Sequence, residues 1–319
     1  MTSRRNNMKK IAIMGARGFV GKALTAHLQD KYTVYPITRE QFSLLDEQAV
    51  TEFFEKENID VVFHCANQGG SRKTGYDVAA PDVIGNNLKM FFNMERCLKD
   101  GMKLINFGSG AQYNKARDLV KVKEDTIGTV IPKDDYGYSK YVMSEYLGVR
   151  ESSNKPGIIY NPIIFGLYGQ GEDYTFKFIS NAIMKNLLEM PIVINQNVVF
   201  DFLCLGDFLK VMDKLIEEDV PNREFNITPT ESIDLCRIVE IINEIGDFKS
   251  EVTVKNPGLN YQYTADNTRL LENMGNDFVF TSYKEGIKEL YDYYKENLDR
   301  LDTEAIRKDE LLKYCKTKG

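Results

Sequence analysis

Short apolar runs alternate with longer stretches of helical period along the first half of the chain. Residues 10–15, KIAIMG, form a β-branched run that ends in glycine, and FVGKALTAHLQD carries apolar residues at helical spacing up to Asp30. That pattern predicts strand, tight turn, helix. YTVYPIT then predicts a strand, AVTEFFEKEN a helix, VVFHCA a buried strand, VIGNNLKMFFNMERCLKD a longer helix and KLINFGS a strand. A helix carrying YGYSKYVMSEYLGVRE and a strand GIIYNPIIFG continue the alternation. Strands that alternate with helices in this way predict an α/β protein built on a doubly wound parallel sheet.

Beyond Gly166 the alternation loosens into a glycine-rich turn (GLYGQGEDY), a helix (TFKFISNAIMKN), a strand around VVFDFL and helices in GDFLKVMDKLIEE and LCRIVEIINEIG. The expected division is therefore a first domain over residues 1–165 and a smaller α/β substrate lobe over 166–319. Segments near 198–215 and 224–228 are expected to cross back to the first. Residues 1–8 read as a disordered leader. The charged C-terminal stretch LDTEAIRKDELLKYCKTKG reads as a helical tail with a solvated face and no chemical signature.

Composition narrows the classes that remain. A chain of 319 residues with 43% apolar residues holds a large core, as a two-lobed enzyme does. The net charge of −6 comes from intermixed signs, which argues against a nucleic-acid surface. No apolar run approaches the ~20 residues of a membrane span, and MTSRRNNMKK lacks the apolar core of a signal peptide. Five scattered cysteines without a CxxC pair fit a reduced, cytoplasmic location. Only two histidines occur, and neither has a companion at metal-ligand spacing, so neither a metal site nor a Ser-His-Asp triad is expected. His64, inside VVFHCA, reads as a histidine fixed by packing and a hydrogen bond.

Candidate chemistry begins at GARGFVG, where Gly15, Gly18 and Gly21 stand between a strand and a helix. Glycine permits the turn and a close backbone approach, and the helix N-terminus offers N–H groups to a pyrophosphate. In this context the three glycines predict a dinucleotide-binding, Rossmann-type fold. The strand YTVYPIT leads to Arg39, and Arg17 projects from the glycine turn towards the same corner. Two guanidiniums there suit the 2′-phosphate of NADP(H). The adjacent Glu40 is expected to face away from Arg39 if the strand continues.

The second candidate is DDYGYSK, residues 134–140. On a helix Lys140 shares a face with Tyr136 and not with Tyr138. An ammonium beside a phenol favours the phenolate and makes Tyr136 a better proton donor to a nascent alkoxide. Ser109, upstream in FGSGAQY, is placed to hydrogen-bond a substrate oxygen as charge develops. Tyr138 and Tyr141 read as packing residues.

With the glycine turn, Tyr136-x-x-x-Lys140 and Ser109 four residues before Tyr113, the chain resembles the extended short-chain dehydrogenase/reductases that act on nucleotide sugars. The resemblance runs through DVVFHCA, NNLKMFFNMERCLKDGMKLINFGSG, IIYNPIIFG, VFDFLCLGDFLKVM and EFNIT. LLDEQAVTEFFEKENIDVVFHCA, the GG of CANQGGS and the arginine inside GARGFVG look most like the GDP-fucose synthase and dTDP-4-keto-rhamnose reductase branches. It implies catalytic roles for Ser109, Tyr136 and Lys140. It also implies cofactor contacts from Gly15, Arg17, Gly18, Phe19, Val20, Gly21, Arg39, Asp46, Cys65, Ala66, Asn67, Lys140, Asn161 and Ile163. Substrate contacts are implied for Gly110, Ala111, Asn161, Arg72 and Lys73, no metal is implied, and a homodimer paired through the helices around 87–96 and 136–150 is expected.

The departures from those relatives also carry information. Gly110-Ala111 stands where a 4,6-dehydratase of this family carries Asp-Glu. Ala111 replaces the cysteine of the epimerising synthases, and no histidine follows His64, so an epimerising half-reaction is not expected. Phe200 occupies the position of an arginine that binds the nucleotide diphosphate. Arg72, Lys73 and Arg269 are candidate replacements, with solvated loop charges as the alternative. The expectation is NADPH-dependent reduction of the C4 keto group of a nucleotide-activated 4-keto-6-deoxy sugar, for lipopolysaccharide or capsule precursors. An NAD(P)-dependent 4-epimerase and a non-catalytic dinucleotide sensor are the competing readings, and retention of Tyr136, Lys140 and Ser109 argues against the last.

Overall fold

The computed structural model describes residues 8–70, 81–275 and 277–318. Its first part alternates β1 (Lys10–Met14), α1 (Phe19–Leu28), β2 (Thr33–Ile37), α2 (Glu47–Glu57), β3 (Val61–His64), α3 (Val83–Glu95), β4 (Lys103–Asn106), α4 (Asp135–Glu151) and β5 (Ile158–Ile164). Along β1 the side chains divide by parity. Ile11 and Ile13 enter one apolar cluster with Leu24, Phe63 and Phe208, while Ala12 and Met14 enter another with Phe54, Phe91 and Met143. A strand buried on both faces needs helices on both sides, as parallel sheets do.

The last strand of this sheet comes from much later in the chain. After α5 (Phe178–Leu187) and α6 (Leu205–Glu217), β6 (Glu224–Ile227) pairs parallel with β5. The sheet order is β6-β5-β4-β3-β1-β2, all parallel, and Gly108–Ser109 adds a short rung beside Ile163–Ile164. The order reverses between β1 and β3, so the crevice above their C-terminal ends is where such a sheet receives a ligand.

A second core forms where α5, α7 (Leu235–Ile245) and α8 (Tyr283–Glu296) pack together, with Ile183, Ile238, Ile242 and Ile287 fully buried. Strand 192–197 joins this core through Ile192 and Ile194 and pairs with 252–259. A small sheet ties the two cores: Leu119 of the first part pairs with Tyr263, and Tyr263 with Phe200. Among the described residues no helix is long and apolar enough to cross a membrane.

Candidate active site

The turn after β1 is fixed by close approach. Gly15 takes φ +95°, and a Cβ there would lie 2.7 Å from the backbone nitrogen of Ala66, in the loop that leaves β3. A Cβ on Gly21 would lie 2.4 Å from the carbonyl oxygen of Gly15. These glycines bring the loops of β1 and β3 together at the switch point. Helix α1 begins at Gly18 with no side chain capping it, so the N–H groups of Phe19, Val20 and Gly21 face the crevice without an intrahelical acceptor. A pyrophosphate fits such a cradle. Cys65, Ala66 and Asn67 form its opposite wall, with Cys65 N bonded to Met14 O at 2.9 Å.

The ribose corner differs from expectation. Strand β2 ends at Ile37, and Gln41 N closes a turn onto Thr38 O at 3.1 Å, so strand alternation no longer directs Glu40 away. Its carboxylate instead meets Arg17 at 2.5 Å, both side chains two-thirds exposed. Arg39 is exposed. Asp46, expected at the cofactor, caps α2 by accepting from Ala49 N at 3.2 Å.

Helix α4 opens with Asp134 accepting from Gly137 N at 2.9 Å, which places Tyr136 and Lys140 one turn apart beside the crevice. Lys140 is 3% exposed. Its ammonium donates to Phe107 O at 2.7 Å and lies 5.8 Å from the centre of the Tyr136 ring. Burial lowers its pKa to about 8, against a small opposing pull from Cys65. The Tyr136 ring lies against Gly70, where a Cβ would come within 2.8 Å of it. Tyr138 instead packs on Tyr141, ring centres 6.1 Å apart.

Ser109 caps the single turn Gly110–Tyr113, its hydroxyl accepting from Ala111 N at 3.3 Å. The Ser109 side chain also lies near the hydroxyl of Tyr263, which arrives from the second part of the chain, and pulls the tyrosine's pKa down against the larger effect of burial. A Cβ on Gly110 would stand 2.5 Å from that tyrosine's hydroxyl, so Gly110 is the space Tyr263 fills. Tyr136 is close enough to Tyr263 to raise its pKa, adding to the larger effect of burial. Sequence reasoning missed Tyr263, because its nearest chemical partner is more than a hundred residues away. Its place is set by pairing with Leu119 and Phe200, which no local pattern signals.

Asn161 and Ile163 sit differently from what a ligand contact through the side chain needs. Ile163 is fully buried beside Tyr113 and Phe165. Asn161 is 1% exposed, and its amide is engaged at both ends: Asn106 Nδ2 donates to its oxygen at 2.7 Å, and its nitrogen donates to Glu224 at 2.6 Å. These bonds belong to a buried polar chain. His64 Nδ1 meets Asn106 Oδ1 at 2.9 Å, Ser144 donates to Glu224 at 2.5 Å, and Gln112 reaches from Ser144 (3.4 Å) to Ser109 N (3.2 Å). The Asn161 side chain, expected to contact cofactor and substrate, is held inside this chain by Asn106 and Glu224. Arg269 is likewise engaged, donating to Glu224 O at 3.2 Å and facing Glu124. Ala111 is 3% exposed, and Arg72 and Lys73 lie outside the described residues.

A cavity of about 780 Å3 opens beside Tyr136, walled by Tyr263, Phe165, Phe200 and Phe176. Phe200 stacks on Phe202 at 5.0 Å and faces Tyr263 at 5.3 Å, so its surroundings are aromatic.

A dinucleotide cradle at the switch point of a parallel sheet, with Tyr136 of a tyrosine–lysine pair lining an open cavity, defines an α/β dinucleotide-binding class. Residues 11–228 match the NAD dependent epimerase/dehydratase family, and the chain belongs to that family. It is 24% identical over 305 residues to the GDP-6-deoxy-D-talose 4-dehydrogenase of Aggregatibacter actinomycetemcomitans, covering 88% of this chain and 97% of that one. It is 29% identical over 175 residues to the GDP-L-fucose synthase of Escherichia coli K12, covering 52% and 53%. The fold superposes on a GDP-L-fucose synthetase from Naegleria fowleri bound to NADP with a TM-score of 0.75, at 17% identity over 94% of this chain and 96% of that one.

Proposed function

We propose that the protein is an NADPH-dependent reductase of the C4 keto group of a nucleotide-activated 4-keto-6-deoxy sugar, in the supply of surface polysaccharide precursors. The observation that carries this is the Tyr136–Lys140 pair on one turn of α4, with Tyr136 lining the cavity and Ser109 beside Tyr263, which lines it too. The dinucleotide, when bound, supplies the hydride. Tyr136 gives the proton to the oxygen that becomes the C4 hydroxyl, and the buried ammonium of Lys140 favours its phenolate form. Ser109, beside Tyr263, hydrogen-bonds that oxygen. Pyrophosphate is held by the N–H groups of Phe19 to Gly21. The relatives named for GDP sugars, one of them a 4-dehydrogenase, support C4 as the position and GDP as the first nucleotide to test.

The test is loss of NADPH absorbance when purified protein is offered 4-keto-6-deoxy sugars generated in place from GDP-, dTDP-, CDP- and UDP-hexoses. Turnover with one of them supports the reductase, and no turnover with any refutes it. Glu40 favours a second reading, a 4-epimerase that retains NAD, since a carboxylate at the ribose corner suits a free 2′-hydroxyl. Protein that copurifies with NAD resistant to dialysis supports that alternative. The same family reading expects a homodimer through α3 and α4.

A further inference from the structure

The C-terminal stretch is part of the cavity, where a solvated tail was expected. Ile306 is fully buried, Asp309 pairs with the buried Lys185 at 2.7 Å, and Leu311 is 3% exposed. A single turn, Glu310–Tyr314, leads into a strap that three side-chain amides fasten. Asn195 donates to Cys315 O at 3.3 Å, Asn260 donates to Lys316 O at 2.6 Å, and Lys318 N donates to Gln196 Oε1 at 2.9 Å. The Lys318 ammonium then meets Asp118 at 2.7 Å and lies 4.8 Å from the centre of the Tyr261 ring.

Tyr314, Cys315, Lys316 and Thr317 line the same cavity as Tyr136. A substrate whose keto carbon meets Tyr136 must place its nucleoside elsewhere in that space. Tyr314 presents an aromatic ring there, set edge-on to Phe176 at 5.7 Å, and Lys316 brings a positive charge. Aromatic rings stack on nucleobases with little dependence on which base it is.

Resting on the nucleotide-sugar reading, we propose that the strap Tyr314–Lys318 is the nucleoside-binding wall of this cavity, with the Tyr314 ring against the base and Lys316 facing the phosphates. The test is calorimetric titration of the NADPH-loaded protein with GDP, dTDP, UDP and CDP, for the wild type, Tyr314→Ala, Tyr314→Phe and a chain ending at Lys313. The expected result is that Tyr314→Ala binds the preferred nucleotide about tenfold more weakly and Tyr314→Phe binds it as wild type does. The shortened chain should lose most binding, with NADPH affinity unchanged throughout. Should the shortened chain fail to fold, the full-length pair carries the test. Unchanged nucleotide affinity in Tyr314→Ala overturns the inference. A wild type that binds none of the four nucleotides overturns the nucleotide-sugar reading and this inference with it.

Discussion

Replacing Glu224 by glutamine removes a charge that the fold holds at a cost. The carboxyl lies beside Ser144 and Asn161, both donating to one of its oxygens, and burial raises its pKa from 4.5 to about 7. A carboxyl that keeps its proton longer in the fold than in the unfolded chain stabilises the fold below its unfolded value, and that contribution is lost as pH rises through its folded one. The window runs from about 4.5 to about 7. Across it the folded state loses about 3 kcal/mol through this group. Glutamine keeps an oxygen for Ser144 and Asn161, and its added amide meets a cavity of about 370 Å3 that Glu224 lines. Urea denaturation at pH about 5 and about 8 is the assay. Glu224→Gln is expected to be near wild type at the lower pH and more stable by about 2–3 kcal/mol at the higher. The same stability difference between variant and wild type at both pH values refutes the reasoning. Glu172, raised to about 8 by burial, contributes with the same sign to both proteins and cancels in the comparison.

Four further outcomes are expected. Tyr136→Phe should lower kcat by about 10²–10⁴-fold with NADPH affinity intact; unchanged turnover removes Tyr136 from the chemistry. Tyr263→Phe, which deletes the hydroxyl beside Ser109, should lower kcat by about three- to tenfold and leave cofactor affinity alone; a change in KM only would give Tyr263 a binding role. Gly21→Ala introduces a carbon 2.4 Å from Gly15 O and should weaken NADPH binding by about 1–3 kcal/mol in a fluorescence titration. A raised Tm with unchanged Kd would mean helix propensity decides at that position. Arg39→Ala should weaken NADPH and not NADH; equal loss for both cofactors, or none, refutes a 2′-phosphate contact there.

The glycine turn, the YxxxK helix and the alternation that builds the sheet were legible because each depends on residues close in sequence. GARGFVG specifies a strand-turn-helix by itself, and four-residue spacing puts Lys140 on the face of Tyr136. Glu40 was misjudged because its direction depended on where β2 stops, a boundary that turn bonding around Thr38 and Gln41 decides. The internal partners of Asn161, Asn106 and Glu224, come from neighbouring strands and appear only once the sheet is assembled. Tyr263 and the C-terminal strap were invisible for the same reason. Their roles arise from pairing across long stretches of chain, and neither carries a local pattern that distinguishes it from an ordinary surface segment.

The late arrival of β6 has a consequence for how the protein is made. Strand β5, with Ile159, Tyr160 and Asn161 each under 5% exposed in the finished fold, gains its outer neighbour only when Glu224, 63 residues beyond Asn161, has been synthesised. At roughly 5–20 residues per second the nascent chain carries an uncovered, apolar strand edge for several seconds. Such an edge is a template for pairing with other chains. A fragment ending near residue 165 keeps that edge open indefinitely, so it should aggregate during expression even though it contains the whole glycine cradle and the Tyr136–Lys140 pair.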